Sequence, residues 1–323
     1  MKAAASLFTA LAVLLTAQTA SAQSGYPNRP VKILVGFTAG TAPDLAGRIL
    51  ADRFAEVWGT PFVVENVPGA GSNVATDRVA KSPPDGYTLL MGGNPSLVIN
   101  PSLYETLPFD PQKDFAPISQ VFVAANVLAV PPEVPVKTVA ELVAFAKAQP
   151  GKLSYAHAGV GTSQHLGAEL FKYRAGLDIA AVPYRGSTAL MPDLLAGRVT
   201  MSFANIVNVL PLAREGKLRA LAITSSKRSA LAPDLPTMAE SGFPGFEASV
   251  WYGFIGPAGL PTPVVARLHA EIQRALASDD VKGRLAAAGG EVLPGPVDRF
   301  TALLNTERTR YEKLIRDARI LPD

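Results

Sequence analysis

The 323-residue sequence contains no cysteine. This absence excludes disulfide bonds, thiolate metal sites and cysteine nucleophiles, so the stability of the fold must come from its packed core. Histidine is also scarce. The three histidines, His157, His165 and His269, are not spaced as the ligands of common zinc motifs are. We therefore expect neither a metal site nor a cysteine-dependent enzyme.

The chain has little excess charge, with 30 Lys and Arg against 27 Asp and Glu and a formal net charge of +3. It has no run of basic residues and no basic stretch interleaved with aromatic residues, so nucleic-acid binding has little support. The hydrolase motif G-x-S-x-G is absent as well. Composition thus favours a protein that is not an enzyme and does not bind nucleic acid.

Long apolar runs are confined to the first residues. Lys2 is followed by an uncharged run, residues 3–20, and then by Ala20-Ser21-Ala22, the small-x-small pattern at which signal peptidase cuts. We predict a signal peptide over residues 1–22, a mature chain that begins at Gln23, and an exported, soluble, periplasmic protein. A membrane anchor is the weaker interpretation, because Thr, Ser and Gln dilute the run.

The stretch over residues 31–54 organises the rest of the chain. An apolar run at residues 31–37 predicts a buried strand, and the small residues 38–40 predict a turn. Thr41 and Asp44 form the [ST]-x-x-[DE] pattern of a helix start. Such a unit directs unpaired backbone N–H groups and the positive end of the helix dipole at the space above the strand, which suits an anion. The alternative is an ordinary strand-to-helix connection.

Similar turns follow three later predicted strands. They lie at residues 92–96, at residues 157–165 and at residues 185–187, and the last two are predicted to lead into helices capped by Thr162 or Ser163 and by Ser187. Each has a plainer alternative: an ordinary turn at the first, a structural histidine at His165, and a solvated arginine at Arg185. The two G-x-G patterns, at residues 69–71 and 159–161, lack the rest of a dinucleotide fingerprint, so no cofactor is expected.

Strand-like and helix-like runs alternate along the chain, which favours an α/β fold with largely parallel sheets. Two apolar junctions, near Val123 and over residues 248–257, suggest that the chain crosses twice between two lobes. We predict one lobe from residues 23–123 and 248–323, and a second from residues 124–247. Turns at the strand ends of both lobes would then line a cleft, the usual place for a ligand in open α/β sheets.

Eight stretches occur in one order over nearly the whole mature chain: YPNRPVKILVGFTAG, VVENVPGAG, AKSPPDGYTLLMG, PGKLSYAHAGVGTSQH, VPYRGS, GKLRALAITSSKR, LPTMAESGFPGFE and WYGFIGPAGLP. Together they resemble the Bug-type solute receptors, the periplasmic binding components of tripartite tricarboxylate transporters. The resemblance implies a two-lobed type II periplasmic-binding-protein fold that closes on a small carboxylate. It also implies a monomeric receptor that serves two separate inner-membrane transporter subunits.

In that family main-chain amides, small hydroxyl side chains and ordered water hold the ligand carboxylate. The resemblance implies a site built from four loops and one strand end. Its residues are Phe37, Thr38, Ala39, Gly40, Thr41 and Asp44 in the first loop, Gly93 and Asn94 in the second, Ala158, Gly159, Gly161, Thr162 and His165 in the third, Tyr184, Arg185, Gly186 and Ser187 in the fourth, and the strand-end Asn205.

The family pattern breaks in two places. The first loop commonly reads AGGPTD but is AGTAPD here, and the common FDN at the strand end is FAN, so Ala204 replaces a carboxylate. Losing that charge should disfavour ligands with an ammonium group, which points to a plain organic acid. The alternatives to a transport receptor are an exported hydrolase, for which Ser163 beside His165 is the nearest Ser–His pair in sequence, and a ligand sensor for a signalling partner.

Overall fold

A computed structural model describes residues 25–321. The predicted signal peptide and its cleavage after Ala22 lie outside the described residues. The strands are β1 (Val31–Val35), β2 (Phe62–Asn66), β3 (Thr88–Gly93), β4 (Phe115–Ala124), β5 (Asn126–Val130), β6 (Leu153–His157), β7 (Ile179–Pro183), β8 (Met201–Asn205), β9 (Arg219–Ile223), β10 (Val250–Pro257) and β11 (Gly290–Val292).

Helices cover both sheets. They are α1 (Ala42–Trp58), α2 (Asn73–Ala80), α3 (Asn100–Leu103), α4 (Val139–Lys147), α5 (Ser163–Ala175), α6 (Ser187–Leu195), α7 (Ile206–Arg214), α8 (Thr262–Ala277), α9 (Asp279–Ala287) and α10 (Val297–Asp317), with a 3₁₀ turn at Ala70–Ser72 and a π turn at Pro95–Ile99. Within the described residues no helix combines the length and apolar character needed to cross a membrane.

The strands form two sheets, which confirms the predicted two-lobed α/β class. The six-stranded sheet has the order β11-β4-β10-β3-β1-β2, and the five-stranded sheet has the order β7-β6-β8-β5-β9. We call the first sheet with its helices lobe 1 and the second lobe 2. Both sheets are mixed, because β4, β5, β9, β10 and β11 pair antiparallel, so the expectation of largely parallel sheets was wrong. The chain enters lobe 2 at β5 and returns to lobe 1 at β10. Because these strands are not reached through a helical crossover within their own sheet, they can run antiparallel to their neighbours.

The chain crosses between the lobes twice, as predicted. It leaves lobe 1 at the end of β4 and enters β5 after Ala125, and it returns through residues 224–249. Backbone hydrogen bonds join the two crossings: Thr224 N–H donates to the Asn126 carbonyl at 2.9 Å, and Ala248 N–H donates to the Thr224 carbonyl at 3.0 Å. The Thr224 hydroxyl also accepts from the Asn126 N–H at 2.9 Å. The ends of the two crossings are therefore held side by side, and we call this paired segment the hinge.

Local signals explain some helix boundaries. The predicted capping box of α4 is confirmed, since the Thr138 hydroxyl accepts from the Glu141 N–H and the Glu141 carboxylate accepts from the Lys137 N–H. Gly59, in the left-handed region at φ +63°, ends α1 as predicted. At α6 the prediction was wrong: Gly186 is the N-cap, and Ser187 is the first helical residue.

Two strand boundaries also differ from the prediction. Gly92 and Gly93 belong to β3 rather than to a turn, because β3 pairs with β10 and Gly93 lies opposite Tyr252. A side chain at Gly93 would place its Cβ 2.8 Å from the Trp251 carbonyl oxygen. The glycines are needed for close strand packing, and their composition alone suggested a turn. The short strand β11 was not predicted, because three residues carry no periodicity.

Aromatic packing ties α1 to the sheet of lobe 1. Phe54 is fully buried, and its ring centroid lies 5.5 Å from that of Trp58, 5.1 Å from Phe62 and 5.8 Å from Phe254. We expect Phe54→Ala to lower the free energy of unfolding by about 3 to 5 kcal/mol, because the cavity cannot fully collapse. Urea denaturation followed by circular dichroism measures the change.

Val63 on the neighbouring strand β2 is the control, since half of it is exposed. Val63→Ala should change the free energy of unfolding by less than about 0.5 kcal/mol. Equal effects of the two substitutions would contradict the assignment of Phe54 to the centre of the lobe 1 core.

Candidate functional site

The first loop is braced by its own side chains. The Thr41 hydroxyl does not cap α1 but donates to the Thr38 carbonyl at 2.7 Å. The Asp44 carboxylate accepts from the Gly40 N–H at 2.9 Å, from Arg48 at 2.9 Å and from Asn66 at 2.9 Å. Burial raises the pKa of Asp44, but these three donors outweigh it and hold the pKa below its ordinary value. Asp44 therefore shapes the loop as a carboxylate.

The loops of lobe 2 are joined by Gln164, which the sequence analysis did not single out. Its Oε1 accepts from the Ala158 N–H at 3.1 Å, and its Nε2 donates to the Ser187 hydroxyl at 2.7 Å and to Asn205 Oδ1 at 3.0 Å. The Thr162 hydroxyl caps α5 by accepting from the His165 N–H, and it donates to the Gly159 carbonyl at 2.7 Å. One buried amide thus fixes the relative positions of two helix starts and the end of β8.

A cavity of about 580 Å³ lies between the lobes. Its wall consists of Gly36, Phe37, Thr38, Thr41, Pro68, Gly69, Ala70, Gly71, Ser72 and Tyr104 from lobe 1, and Ala158, Gly159, Val160, Thr162, Tyr184, Arg185, Gly186 and Ser187 from lobe 2. Beside it is a small chamber of about 20 Å³, lined by Phe37, Thr41, Pro43, Pro95, Ala158, Thr162, Ser163, Gln164, Ser187, Asn205 and Tyr252. The two spaces adjoin, because both are lined by Phe37, Thr41, Ala158, Thr162 and Ser187.

Four helices begin at this cavity. Their N-cap residues, Thr41 of α1, Ser72 of α2, Thr162 of α5 and Gly186 of α6, all belong to its wall. The first N–H groups of a helix have no acceptor within the helix, and the helix dipole adds partial positive charge there. With two helix starts contributed by each lobe, the cavity is suited to bind anionic groups without many cations.

Side-chain charge in the wall is limited to one residue. Among the described lining residues, Arg185 alone carries a charge, and it is exposed. The hydroxyl of Tyr184 donates to Asp193 at 2.6 Å, and burial together with that carboxylate raises the pKa of Tyr184 to about 12, so the phenol is neutral. No acidic side chain lies in the described wall, which disfavours a ligand with an ammonium group. Ala204 itself is fully buried in β8 and does not line the described wall.

The structure brings together most of the predicted site. Ten of the predicted residues line the main cavity: Phe37, Thr38, Thr41, Ala158, Gly159, Thr162, Tyr184, Arg185, Gly186 and Ser187. An eleventh, Asn205, lines the chamber. The other seven line neither space: Ala39, Gly40, Asp44, Gly93, Asn94, Gly161 and His165.

Five of these seven residues have other surroundings. Ala39 and Gly40 are exposed, and Asp44 is turned inward to hold Gly40. Asn94 is fully buried within lobe 1, where its Nδ2 donates to the Ser249 carbonyl at 3.1 Å and to the Tyr311 hydroxyl at 3.2 Å. His165 is buried on α5, with its ring centroid 4.7 Å from that of His157 and its Nδ1 accepting from the Gly161 N–H at 3.4 Å.

Several loop amides expected to bind the ligand already have acceptors. The N–H groups of Gly40, Ala158, Gly161 and Gly186 donate to Asp44, Gln164, His165 and the Tyr184 carbonyl, respectively. The remaining candidate donors lie in the first helical turns, where the N–H groups of His165 and Ala189 are themselves bonded to Thr162 and to the Gly186 carbonyl.

The loop at residues 68–72 supplies five wall residues and was not predicted to belong to the site. Its signal was present in the VVENVPGAG stretch, whose G-x-G was judged only as a dinucleotide motif. Four consecutive residues, Gly69, Ala70, Gly71 and Ser72, have positive φ angles. Such strain in two residues other than glycine is held in place by the surrounding structure and is typical of a binding site.

The lobes are in contact around the cavity. An ideal Cβ placed on Gly186 would lie 3.1 Å from Thr38, one on Gly71 would lie 2.8 Å from the Val160 carbonyl oxygen, and one on Gly161 would lie 1.9 Å from Asn100 Oδ1. Each of these contacts joins lobe 1 to lobe 2. The structure is thus a closed form, and glycine is required where the lobes meet. Nowhere in residues 25–321 do His, Cys, Asp and Glu side chains cluster as they would around a metal ion.

Comparison with known proteins identifies related chains. The family model described as "Tripartite tricarboxylate transporter family receptor" matches residues 46–320. BugT of Bordetella pertussis is 37% identical over 293 residues, which cover 90% of this chain and 90% of BugT.

Two solved structures from Rhodopseudomonas palustris are also similar. Rpa4515 with adipate has a TM-score of 0.88 and 36% identity, covering 92% of this chain and all of that one. MatC (Rpa3494) with bound malate has a TM-score of 0.84 and 32% identity, covering 90% of this chain and all of that one. These similarities confirm the two-lobed periplasmic-binding-protein fold.

The lowered pKa of Asp44 predicts a pH dependence of stability. Because the pKa is lower in the folded state than in the unfolded chain, the contribution of Asp44 is present above the unfolded value and is lost as pH falls through the folded value. We expect Asp44→Asn to reduce the free energy of unfolding at pH 7, and we expect the difference from wild type to shrink as pH falls to about 3.

Urea denaturation across that pH range measures the difference, with Asp280→Asn as a control at a carboxylate that is three quarters exposed. A deficit in Asp44→Asn that stays constant with pH would show that the amide disturbs packing rather than charge.

Proposed function

Because the chain belongs to the tripartite tricarboxylate transporter receptor family, we propose that it is an exported receptor that captures a small organic carboxylate between its lobes. In this proposal it acts in the periplasm as a monomer, and it delivers the ligand to the two inner-membrane subunits of a tripartite tricarboxylate-type transporter. The proposed lobe boundaries are residues 23–123 with 248–323 and residues 124–247, and the proposed signal peptide ends at Ala22.

One observation carries the proposal: helix starts from both lobes meet around a cavity whose wall, among the residues that the structure describes, has no acidic side chain. A carboxylate placed in the main cavity beside the chamber would face the starts of α1, α5 and α6, whose residues Thr41, Thr162 and Ser187 belong to the wall. Since these helices come from different lobes, the same anion would hold the lobes together. The adipate and malate complexes of the related R. palustris proteins support a carboxylate as the ligand class.

An exported hydrolase is the weaker candidate. The Ser163 hydroxyl accepts a hydrogen bond from the Asn126 amide at 3.0 Å, an interaction that ties α5 to the hinge. A nucleophilic serine would instead be expected to donate to a base. A sensor would use the same cavity and differ only in the partner of the closed form.

Calorimetry with the purified mature chain tests the proposal. We expect at least one member of a panel of mono-, di- and tricarboxylates and aromatic acids to bind with micromolar or better affinity and to raise the melting temperature. No carboxylate binding, or turnover of esters or amides that Ser163→Ala abolishes, would contradict it. Uptake of the bound acid by cells with and without the receptor then separates transport from sensing.

Closure is expected to be required for tight binding, and the Gly161–Asn100 contact provides a test. Gly161→Ala should weaken binding of the best ligand by about tenfold or more, because the new Cβ would meet Asn100 Oδ1 only when the lobes are closed. Adding Asn100→Ala removes the obstructing atom and should restore most of the affinity. Calorimetry of both single variants and the double variant measures the coupling.

Gly216→Ala is the matched control. Gly216 has φ +71°, close to the +75° of Gly161, but an added Cβ would meet no atom within 4 Å. It therefore reproduces the backbone strain without the clash between lobes. If Gly216→Ala weakened binding as much as Gly161→Ala, or if the double variant showed no recovery, closure at this contact would not control affinity.

A further inference from the structure

A groove of about 450 Å³ lies on lobe 1 between α3 and the C-terminal half of α10. No described residue lines both this groove and the ligand cavity, so the two are separate. We call it the α3–α10 groove, and its wall consists of Pro101, Ser102, Gln112, Arg308, Glu312, Ile315 and Arg316. Most of these side chains are polar or charged, so the groove suits a charged partner better than an apolar one.

Three charged side chains form a row along this face of α10. Arg308, Glu312 and Arg316 follow one another at intervals of four residues, the spacing at which opposite charges on a helix can pair. Within residues 25–321, however, Glu312 makes no ion pair, and Arg316 contacts only the adjacent Asp317, at 3.7 Å. The row therefore presents a positive, a negative and a second positive charge to the groove.

The first charge of the row is partly buried without a carboxylate partner. The guanidinium of Arg308 donates to Asn305 Oδ1 at 3.3 Å and forms no ion pair with any described carboxylate. Burial lowers the pKa of Arg308, against the opposing influence of the Asp110 charge. Asp110 is itself paired with Lys113 at 2.9 Å. A cation that has lost part of its hydration in this way is stabilised by a carboxylate supplied from outside.

The helix that carries the row is attached to the returning crossing. Arg310 Nη2 donates to the carbonyl of Glu247, which directly precedes the hinge residue Ala248, at 2.6 Å. One residue further along α10, the Tyr311 hydroxyl accepts from Asn94 Nδ2 at 3.2 Å. The side of α10 opposite the groove is therefore held against the segment about which the lobes rotate.

The other wall of the groove belongs to an element that touches lobe 2. Pro101 and Ser102 directly follow Asn100, whose Oδ1 would lie 1.9 Å from a Cβ placed on Gly161. Leu103, at the end of the same short helix, would lie 3.4 Å from that Cβ. The groove is thus formed by two elements, one held at the hinge and the other at the contact between the lobes. A partner bound there would contact both elements at once.

We propose that the α3–α10 groove is the docking surface for a membrane subunit of the transporter, and that it accepts a segment whose charges run negative, positive, negative. This proposal rests on the proposed function, which supplies the membrane subunit as the partner. Two carboxylates of the segment pair with Arg308 and Arg316, and a basic side chain between them pairs with Glu312. The two arginines are about 12 Å apart along α10, so the two carboxylates have a similar separation. Such complementarity fixes the register of the docked segment.

Uptake by spheroplasts that lack their own receptor tests the docking surface. They receive the purified mature chain and, in radiolabelled form, the acid of the carboxylate panel that binds most tightly. We expect Arg316→Glu to raise the receptor concentration for half-maximal uptake by about tenfold or more, because like charges then face each other. Calorimetry should show the affinity for the acid changed by less than about twofold, since Arg316 lies outside the cavity wall. Arg308→Glu should have the same two effects.

Lys313→Glu is the matched control. Lys313 lies on the same helix and is 70% exposed, against 67% for Arg316, but it does not line the groove. It should change neither uptake nor affinity. Equal losses of uptake in Lys313→Glu and Arg316→Glu would show a general dependence on the charge of α10, and would overturn docking at the groove.

The absence of cysteine allows the occupant to be identified directly. Ser102→Cys labelled with benzophenone maleimide places a photo-crosslinker in the groove, and Ser278→Cys places one at the start of α9, outside it. In the same spheroplasts we expect Ser102→Cys alone to form an adduct with an integral membrane protein, mapped by mass spectrometry to a segment with the stated charge order. An adduct with a soluble protein or a second copy of the chain, or no adduct, would overturn the proposal.

The outcomes separate this proposal from the proposed function. If no acid of the panel binds, the proposed function is wrong and the docking surface falls with it. If an acid binds but its uptake does not require the receptor, delivery to a transporter is wrong, and so is this surface. If uptake requires the receptor and both Arg308→Glu and Arg316→Glu support it as wild type does, only the docking surface is overturned.

Discussion

Helix starts that face each other across a gap are the constraint on which this structure depends. The first amides of a helix need acceptors, and each lobe alone leaves such amides directed at solvent. When the lobes meet, the starts of α1 and α2 face those of α5 and α6 across a space whose only charged wall residue in the described chain is Arg185. An anion in that space interacts favourably with both lobes, which converts binding into closure.

The neighbouring side chains serve this arrangement by orienting the helices. Asp44 holds the loop before α1, and Gln164 links the starts of α5 and α6 to the end of β8. Both are nearly fully buried, and both use their polar atoms on main-chain or side-chain partners of the protein. Specificity for the ligand therefore depends on the orientation of the helices as much as on the residues that contact the ligand.

Sequence patterns predicted the α/β class, the two crossings and most of the loops that meet at the cavity. They succeeded where a signal is local, as in the Thr138–Glu141 capping box. They failed for Gly92 and Gly93, because strand pairing with β10 requires glycine there and composition cannot distinguish this need from a turn. Asn94 and His165 lie outside the cavity wall for a related reason: their contacts are with Ser249, Tyr311 and His157, which the loop pattern does not reveal. Gln164 and Ser72 acquire their importance only in three dimensions.

The contacts between the lobes determine what separation of the lobes would expose. At the three glycines where the lobes meet, the facing groups are a carbonyl oxygen and the side chains of Asn100 and Thr38, whose polar atoms water can hydrate. Val160 and Leu166 of lobe 2 also pack with the apolar cluster of lobe 1 that contains Leu103. Exposing these side chains to water costs free energy, so the apolar part of the seam favours the arrangement in which the lobes touch.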